Sequence, residues 1–471
     1  MHADDPVFNS PFSWRYGSLE MRRLWSEAEK HRLWRRMWVE LARAQQAAGL
    51  VSADQLADLE RALPHINLAR IAEIESSIQH DLMAALKAFG EEAPLGAPVL
   101  HLGATSADIE DNADALRIRD SLTLIEGRLR AVVELLARRA LEHADAPVMA
   151  FTHLQPAEPT TAGYRLCMYA QDLAADLESI HALRRGLRGK GLKGAVGTRA
   201  SYTALLTDSA VTPAALDHAV MDAVGLAAFP ITGQAYPRMQ DWRVISGLAG
   251  AAASLSKLAY DLRLLQSPLS SEMAEPFGNL QVGSSAMPFK RNPIASEKID
   301  SLGRLVASFV NVAWQNATLS FLERTLDDSA NRREILPVAF LALDEMLLVA
   351  ERLVRGLILD EAAARRTFER FAPFAATEPV LMAAARAGGD RQELHEHLRE
   401  LSMQAWQAIR ADQPNPLIQS MQASALLLKW LPAAEIGRLA NPRTFLGDAP
   451  ERARDFANDL LAHLDTLREE Y

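Results

Sequence analysis

Cysteine is almost missing from this chain: Cys167 is the single one among 471 residues. One thiol excludes an intramolecular disulfide, a cysteine-based zinc site and a Cys-x-x-Cys redox pair, and it suits a reducing cytoplasm. Its neighbours Leu166 and Met168 mark it as a small hydrophobe within a helix. Long apolar runs are missing too. The most apolar stretch, Met346 to Ile358, is interrupted by Glu351, Arg352 and Arg355, and falls short of the roughly 20 apolar residues a membrane span needs. The opening Met1-His2-Ala3-Asp4-Asp5 carries acid where a secretory leader carries base, so no export signal is expected and the protein should be soluble. Nor is there an excess of positive charge. Lys and Arg total 50 against 60 Asp and Glu, a net charge of -10, which gives no support to a nucleic-acid surface or a polybasic membrane anchor. A small, locally concentrated anionic substrate remains compatible.

Alternating strand patterns are scarce, and no glycine-rich phosphate loop follows a strand, which argues against a doubly wound nucleotide fold. Helical spacing is present nearly everywhere. Ile125, Leu129, Val132, Val133, Leu136 and Ala140 form one stripe, with Arg128, Arg130 and Glu134 on the other face. From Ser246 to Gln266 a Leu255, Leu258, Leu262, Leu265 stripe is combined with Gly247, Ala249, Gly250, Ala251, Ala252 and Ala253, which predicts close helix packing inside a bundle. The expected class is all-α.

Gly and Pro place loops at 91–98, 189–198, 230–237, 268–293 and 413–416. A loop as long as 268–293 is expected to be a functional lid or a disordered linker. The chain is too long for one ordinary core, and boundaries near Ala104 and Leu359 divide it into an N-terminal helical region (1–104), a central bundle of long helices (105–358) and a C-terminal helical region (359–471).

Four segments gather hydroxyl, imidazole, amide and cationic groups at turns. They are Gln79-His80-Asp81, His101 to Ser106, Phe151-Thr152-His153-Leu154-Gln155-Pro156, and Gly283-Ser284-Ser285-Ala286-Met287-Pro288-Phe289-Lys290-Arg291-Asn292-Pro293. A single histidine is more often structural than chemical, and Thr105-Ser106 followed by Asp108 and Glu110 also reads as a helix N-cap with first-turn acids. The fourth segment is more specific. It resembles, at every fixed position, the Gly-Ser-Ser-x-Met-Pro-x-Lys-x-Asn signature of the fumarase, aspartase and argininosuccinate lyase superfamily, and the other three fall in the order that superfamily shows. Further stretches resemble its adenylosuccinate lyase branch in the animal-type form: Arg15-Tyr16, Ile231 to Gln234, Ser284 through Glu297, Glu323 to Arg333, and Gly388 to Gln392.

This resemblance implies a three-region helical fold with a central long-helix bundle, and elimination of fumarate from an N-substituted succinate without a cofactor. Ser284 would be the base and His153 the acid, with Glu297 orienting the imidazole and His80 a second imidazole in the pocket. Serine is a weak base until ionised; nearby Lys290 and Arg291, and the positive end of a helix starting after Pro293, would favour its ionised form. Lys290, Asn292, Thr105, Ser106 and Gln234 would hold the fumaryl carboxylates, with Asp81 and Lys298 also near substrate. Arg15, Tyr16, Arg324, Ser329 and Arg333 match the positions that bind phosphate, which suits the planar fork of arginine. The implied assembly is a homotetramer whose sites each draw on three chains.

Two departures alter the pocket: Gln79 stands where animal-type relatives carry Arg, and Ala295 and Lys298 replace two further arginines of that pattern. A lyase of the same superfamily acting on another substituted succinate, argininosuccinate-like or carboxymuconate-type, would keep Ser284, His153 and Lys290 but have no use for the arginines. A catalytically inactive scaffold should have lost one of the acid, base or carboxylate-binding groups, and none is missing. His395-Glu396-His397 is not assigned to a metal, since helical residues two apart point in different directions.

Overall fold

Small polar side chains start many of the helices. In the computed structural model, which describes residues 8–278 and 280–469, Ser18, Ser26, Ser52, Asn67 and Thr212 each accept the backbone N–H three residues on, at the heads of α1 (Leu19–Leu24), α2 (Glu27–Ala47), α3 (Ala53–Ala62), α4 (Leu68–Ile78) and α9 (Pro213–Val224). Each such cap contributes about 1 kcal/mol. Between them lie α5 (Asp81–Glu92), α6 (Ser106–Glu142), α7 (Ala162–Gly186) and α8 (Ala200–Leu205). The long helices α10 (Met239–Gln266), α11 (Ile294–Thr318) and α12 (Ser329–Arg355) follow. Six shorter or terminal helices complete the chain: α13 (Glu361–Phe371), α14 (Thr377–Arg386), α15 (Arg391–Arg410), α16 (Leu417–Gln422), α17 (Ala433–Leu439) and α18 (Ala449–Glu469). The all-α class is as expected. The acidic opening Met1 to Asp5 lies outside the described residues.

Two compact units form, and α6, α7, α10, α11 and α12 each contribute a segment to both. The first unit contains residues up to Leu129, Ala175–Ala253 and Ser301–Leu348. Its core is built on Met37, Trp38, Leu82, Phe89 and Tyr202, all buried, and burying each such side chain contributes roughly 1.5–3 kcal/mol. The Trp38 indole N–H donates to His101 Nδ1 at 3.0 Å, so this histidine is a satisfied structural group. The expected small-residue packing is present: a Cβ on Gly247 would lie 2.4 Å from Leu183 Cδ1. The helix itself begins at Met239, a full turn and more before Ser246.

The second unit contains Arg130–Ala174, Ser254–Asp300 and the chain from Val349 onward. Leu255, Leu258, Leu262 and Leu265 are buried as the stripe predicts, and Val380, Leu394, Leu398, Leu417, Met421 and Ile436 form a separate cluster. Cys167 is buried, its thiol donating to the Ala453 carbonyl at 3.6 Å, and burial pushes its pKa up to about 11. Two features depart from expectation. An antiparallel hairpin, β1 (Pro147–Thr152) and β2 (Gln155–Thr161), surrounds His153, and Pro156 and Pro159 together with a bulge after Met149 hide its alternation. The span 268–293 is not structureless either, because β3 (Met273–Ala274) pairs with β4 (Ile358–Leu359). Among the described residues no helix is long and apolar enough to cross a membrane.

Candidate active site

The segments picked out by sequence lie at helix ends and turns in both units. In the first unit, Gly17 turns the chain at φ +76°, and a Cβ there would lie 2.8 Å from Leu341. Its N–H donates to Glu345 Oε2 (3.1 Å), and the Ser18 N–H donates to Asp344 Oδ2 (2.6 Å). Two acids of α12 therefore position Arg15 and Tyr16 just before the turn, with the exposed Arg15 guanidinium 5.8 Å over the Tyr16 ring.

Gln234 and the Glu323 to Arg333 run meet through the backbone. The Gln234 N–H donates to the Glu323 carbonyl at 3.0 Å, and a Cβ on Gly233 would lie 2.5 Å from the same oxygen. Beneath them is a buried ionic network that sequence reasoning missed. Arg238 grips both oxygens of Asp111 (3.0 and 3.1 Å) and gives its Nε–H to Asp328 (2.6 Å). Asp328 in turn accepts from Arg324 at 2.8 Å. Arg332 donates to Asp241 (2.7 Å) and to the Tyr236 hydroxyl (3.0 Å), which donates to Asp241 (2.6 Å). Burial opposes the charge on Asp111, but Arg238 and Arg332 hold its carboxyl below the ordinary range. Arg324 is thereby fixed at the head of α12, beside Ser329.

His80 caps α5, its Nδ1 accepting the Met83 N–H at 3.4 Å, after Gln79 has ended α4 in the left-handed region at φ 52°. The adjacent Asp81 pairs with Arg333 at 2.5 Å, so Arg324 and Arg333, two of the arginines assigned to phosphate, are each paired with a carboxylate. Thr105 and Ser106 do start a helix: the Thr105 N–H donates to Asp108 Oδ2 (3.1 Å). Asp108 also accepts from Lys190, from the Lys193 and Gly194 N–H groups and from the Tyr202 hydroxyl, tying this turn to the 189–194 loop.

In the second unit the signature loop is held by its own backbone. Ser284 Oγ accepts the N–H groups of Ala286 (3.3 Å) and Met287 (3.1 Å), donors that favour an ionised oxygen. A Cβ on Gly283 would lie 2.0 Å from the Lys290 carbonyl, so glycine is obligatory, and Asn292 Nδ2 closes the loop on the Gly283 carbonyl at 2.9 Å. Gln266 donates to the Arg291 carbonyl and accepts from the Glu275 N–H. The α11 helix starts after Pro293 as expected, but its positive end is directed elsewhere: buried Glu275 accepts the Ala295 (3.1 Å) and Ser296 (2.6 Å) N–H groups. Arg291 lies 5.2 Å over the Phe277 ring, Lys290 and Glu297 are exposed, and Lys298 is half-buried.

His153 and Leu154 are the two turn residues of the hairpin, at φ 53° and 58°. This is the geometry Asn-Gly usually supplies, and L side chains there cost roughly 1–2 kcal/mol each. Both are exposed, and His153 makes no hydrogen bond or ion pair with any described residue, so the expected Glu297 to His153 contact is not made within one chain. Asp111, Arg238, Gln266 and Glu275 escaped sequence reasoning because isolated charged and amide residues read as solvated faces, and Asp328, though inside the Glu323 to Arg333 run, was given no role.

Family comparison sets the class first. A family model described as lyase matches residues 18–307, and one described as adenylosuccinate lyase C-terminus matches 373–456, so fold and loop together define a helical lyase. The 3-carboxy-cis,cis-muconate lactonizing enzyme of Pseudomonas putida shares the fold with a TM-score of 0.83 at 25% identity, over 96% of this chain and 100% of that one. Adenylosuccinate lyase of Saccharomyces cerevisiae is 37% identical over 457 residues, covering 95% of this chain and 94% of the relative. That of Pyrococcus abyssi is 36% identical over 451 residues, covering 95% and 97%. The chain belongs to the adenylosuccinate lyase family. Its relatives extend from yeast to archaea, so they do not single out the animal-type form.

Proposed function

We propose that the protein cleaves adenylosuccinate into fumarate and AMP, and in the same way releases fumarate from the succinylaminoimidazole carboxamide ribotide of purine biosynthesis. Ser284, as its alkoxide, takes the proton from the carbon beside a carboxylate. The resulting carbanion, stabilised by that carboxylate, expels the nitrogen as the double bond of fumarate forms, and the His153 imidazolium protonates the departing amine. Lys290, Asn292, Thr105, Ser106 and Gln234 hold the carboxylates, where charge builds in the transition state. Asn292 keeps one amide N–H for this after closing the loop. Arg15, Tyr16, Arg324, Ser329 and Arg333 take the phosphate, whose binding positions the distant reacting bond.

The observation that carries this reading is the buried Asp111, Arg238, Asp328 network that fixes Arg324 and the head of α12 beside Gln234. A substrate without phosphate would make no use of Arg324 held there. The test is fumarate release, followed by ultraviolet absorbance, from adenylosuccinate and from its dephosphorylated counterpart. Losing charged hydrogen bonds to phosphate should lower kcat/KM by about 30-fold, roughly 2 kcal/mol. Equal turnover of the two would overturn the assignment.

The working unit in this reading is a cytoplasmic homotetramer, each site drawing on three chains. Exposed His153 on a strained turn and the missing contact to Glu297 within one chain support it. So does helix length: at about 1.5 Å per residue a helix of about thirty residues is roughly 45 Å long, which keeps loops at its opposite ends apart.

A further inference from the structure

Arg324 and Arg333 are both ion-paired, but in unlike ways. Asp328, the partner of Arg324, is 3% exposed and is held by Arg238 as well, so it cannot move away. Asp81, the partner of Arg333, has a side chain 20% exposed, and the Arg333 side chain is 62% exposed. The second Asp81 oxygen accepts the Leu82 N–H at 2.7 Å and lies 3.7 Å from His80 Nδ1. An exposed pair of this kind is weak. A phosphate dianion, with three acceptor oxygens, is a stronger partner for a guanidinium than one carboxylate oxygen.

We infer that Asp81 is an internal occupant of the phosphate site: in the free protein its carboxylate holds Arg333 where substrate phosphate will bind, and phosphate displaces it toward His80. This rests on the phosphate reading above. Once displaced, Asp81 keeps its short bond to the Leu82 N–H, so its charge stays at the head of α5. The nearest side chain on that side is the His80 imidazole, whose Nδ1 lies 3.7 Å from the same oxygen. Lys30 acts on Asp81 in the same sense as Arg333, while Glu110 on α6 faces the pair as a further acid.

The test is calorimetric binding of AMP, with inorganic phosphate as second probe, to the parent protein, D81N, D81E and R333M. D81N should bind AMP about fivefold more tightly, since the ion pair to Arg333 no longer competes; D81E should restore the parent affinity. R333M should bind AMP weakly, and adding D81N to it should change nothing. A residue that only maintained the fold would not tighten binding when altered. AMP binding by D81N no tighter than the parent, with R333M still weakened, would overturn the inference while leaving the phosphate reading intact. If the parent binds neither probe and R333M is unaffected, the phosphate reading itself falls, and this inference with it.

Discussion

In the first unit, Arg238 and Arg332 are buried and each donates to two partners through the acids and phenol of the network. In the second unit, Lys290 is exposed and the Ser284 oxygen rests on two backbone N–H groups. In the proposed function the difference separates two tasks, anion recognition in the first unit and proton transfer at the loop of the second. Recognition groups are fixed in advance by side chains that are themselves buried and mutually satisfied, so little reorganisation is needed when an anion arrives. The reacting loop is shaped from within, by Gly283, Asn292 and Gln266, and leaves its chemical groups open to whatever completes the site.

The sharpest way to break this comparison is at the loop. S284A should fold normally and bind substrate while kcat falls at least ~1000-fold, about 4 kcal/mol or more, measured by steady-state kinetics. Near-normal turnover would remove Ser284 from the proposed chemistry. Mixing that inactive variant with inactive H153A and allowing subunits to exchange should restore activity, because some mixed sites would hold both intact groups; no recovery after demonstrated exchange would refute shared sites.

The first unit should respond in stability as well as in turnover. R238M strands Asp111 and Asp328 without their shared cation, and breaking a buried pair in this way should remove about 3 kcal/mol of stability, read from urea unfolding. A loss under about 1 kcal/mol would show that the network is not what holds the unit's site together.

The last expected effect is one of pH dependence and concerns Glu110, in the acidic group around Arg333. Burial first, then Asp81, Asp111 and Asp114, raise its carboxyl from 4.5 to about 7, with Arg333 opposing. The folded state then binds this proton more tightly than the unfolded chain, so stability falls as pH rises from 4.5 to about 7 and is level above that. E110Q removes that fall. Its Tm advantage over the parent should grow between pH 5 and 8; an advantage independent of pH would contradict the assignment.

Much of the site was legible in the sequence because it lies in contiguous motifs. His80 at the head of α5, Thr105 before α6, His153 on a turn, Gln234 before α10 and Ser284 before α11 all stand at element ends, as Gly, Pro and the caps indicated. The hairpin around His153 was not legible, because prolines and a bulge erase its period of two. The hydrogen bonds around Ser284 were not legible for a different reason. Chain proximity suggested Lys290, Arg291 and the end of α11, yet the directions of backbone N–H groups decide which oxygen they serve, and those of α11 serve Glu275.

By itself, then, the sequence determined the helical class, the places where helices begin and stop, and the signature loop, since each depends on residues a few positions apart. Only the tertiary structure decided that Asp111, Arg238 and Asp328, far apart along the chain, become one buried network. Whether a charged residue is solvated or buried depends on what other elements pack over it, and the period of a single helix carries no record of that.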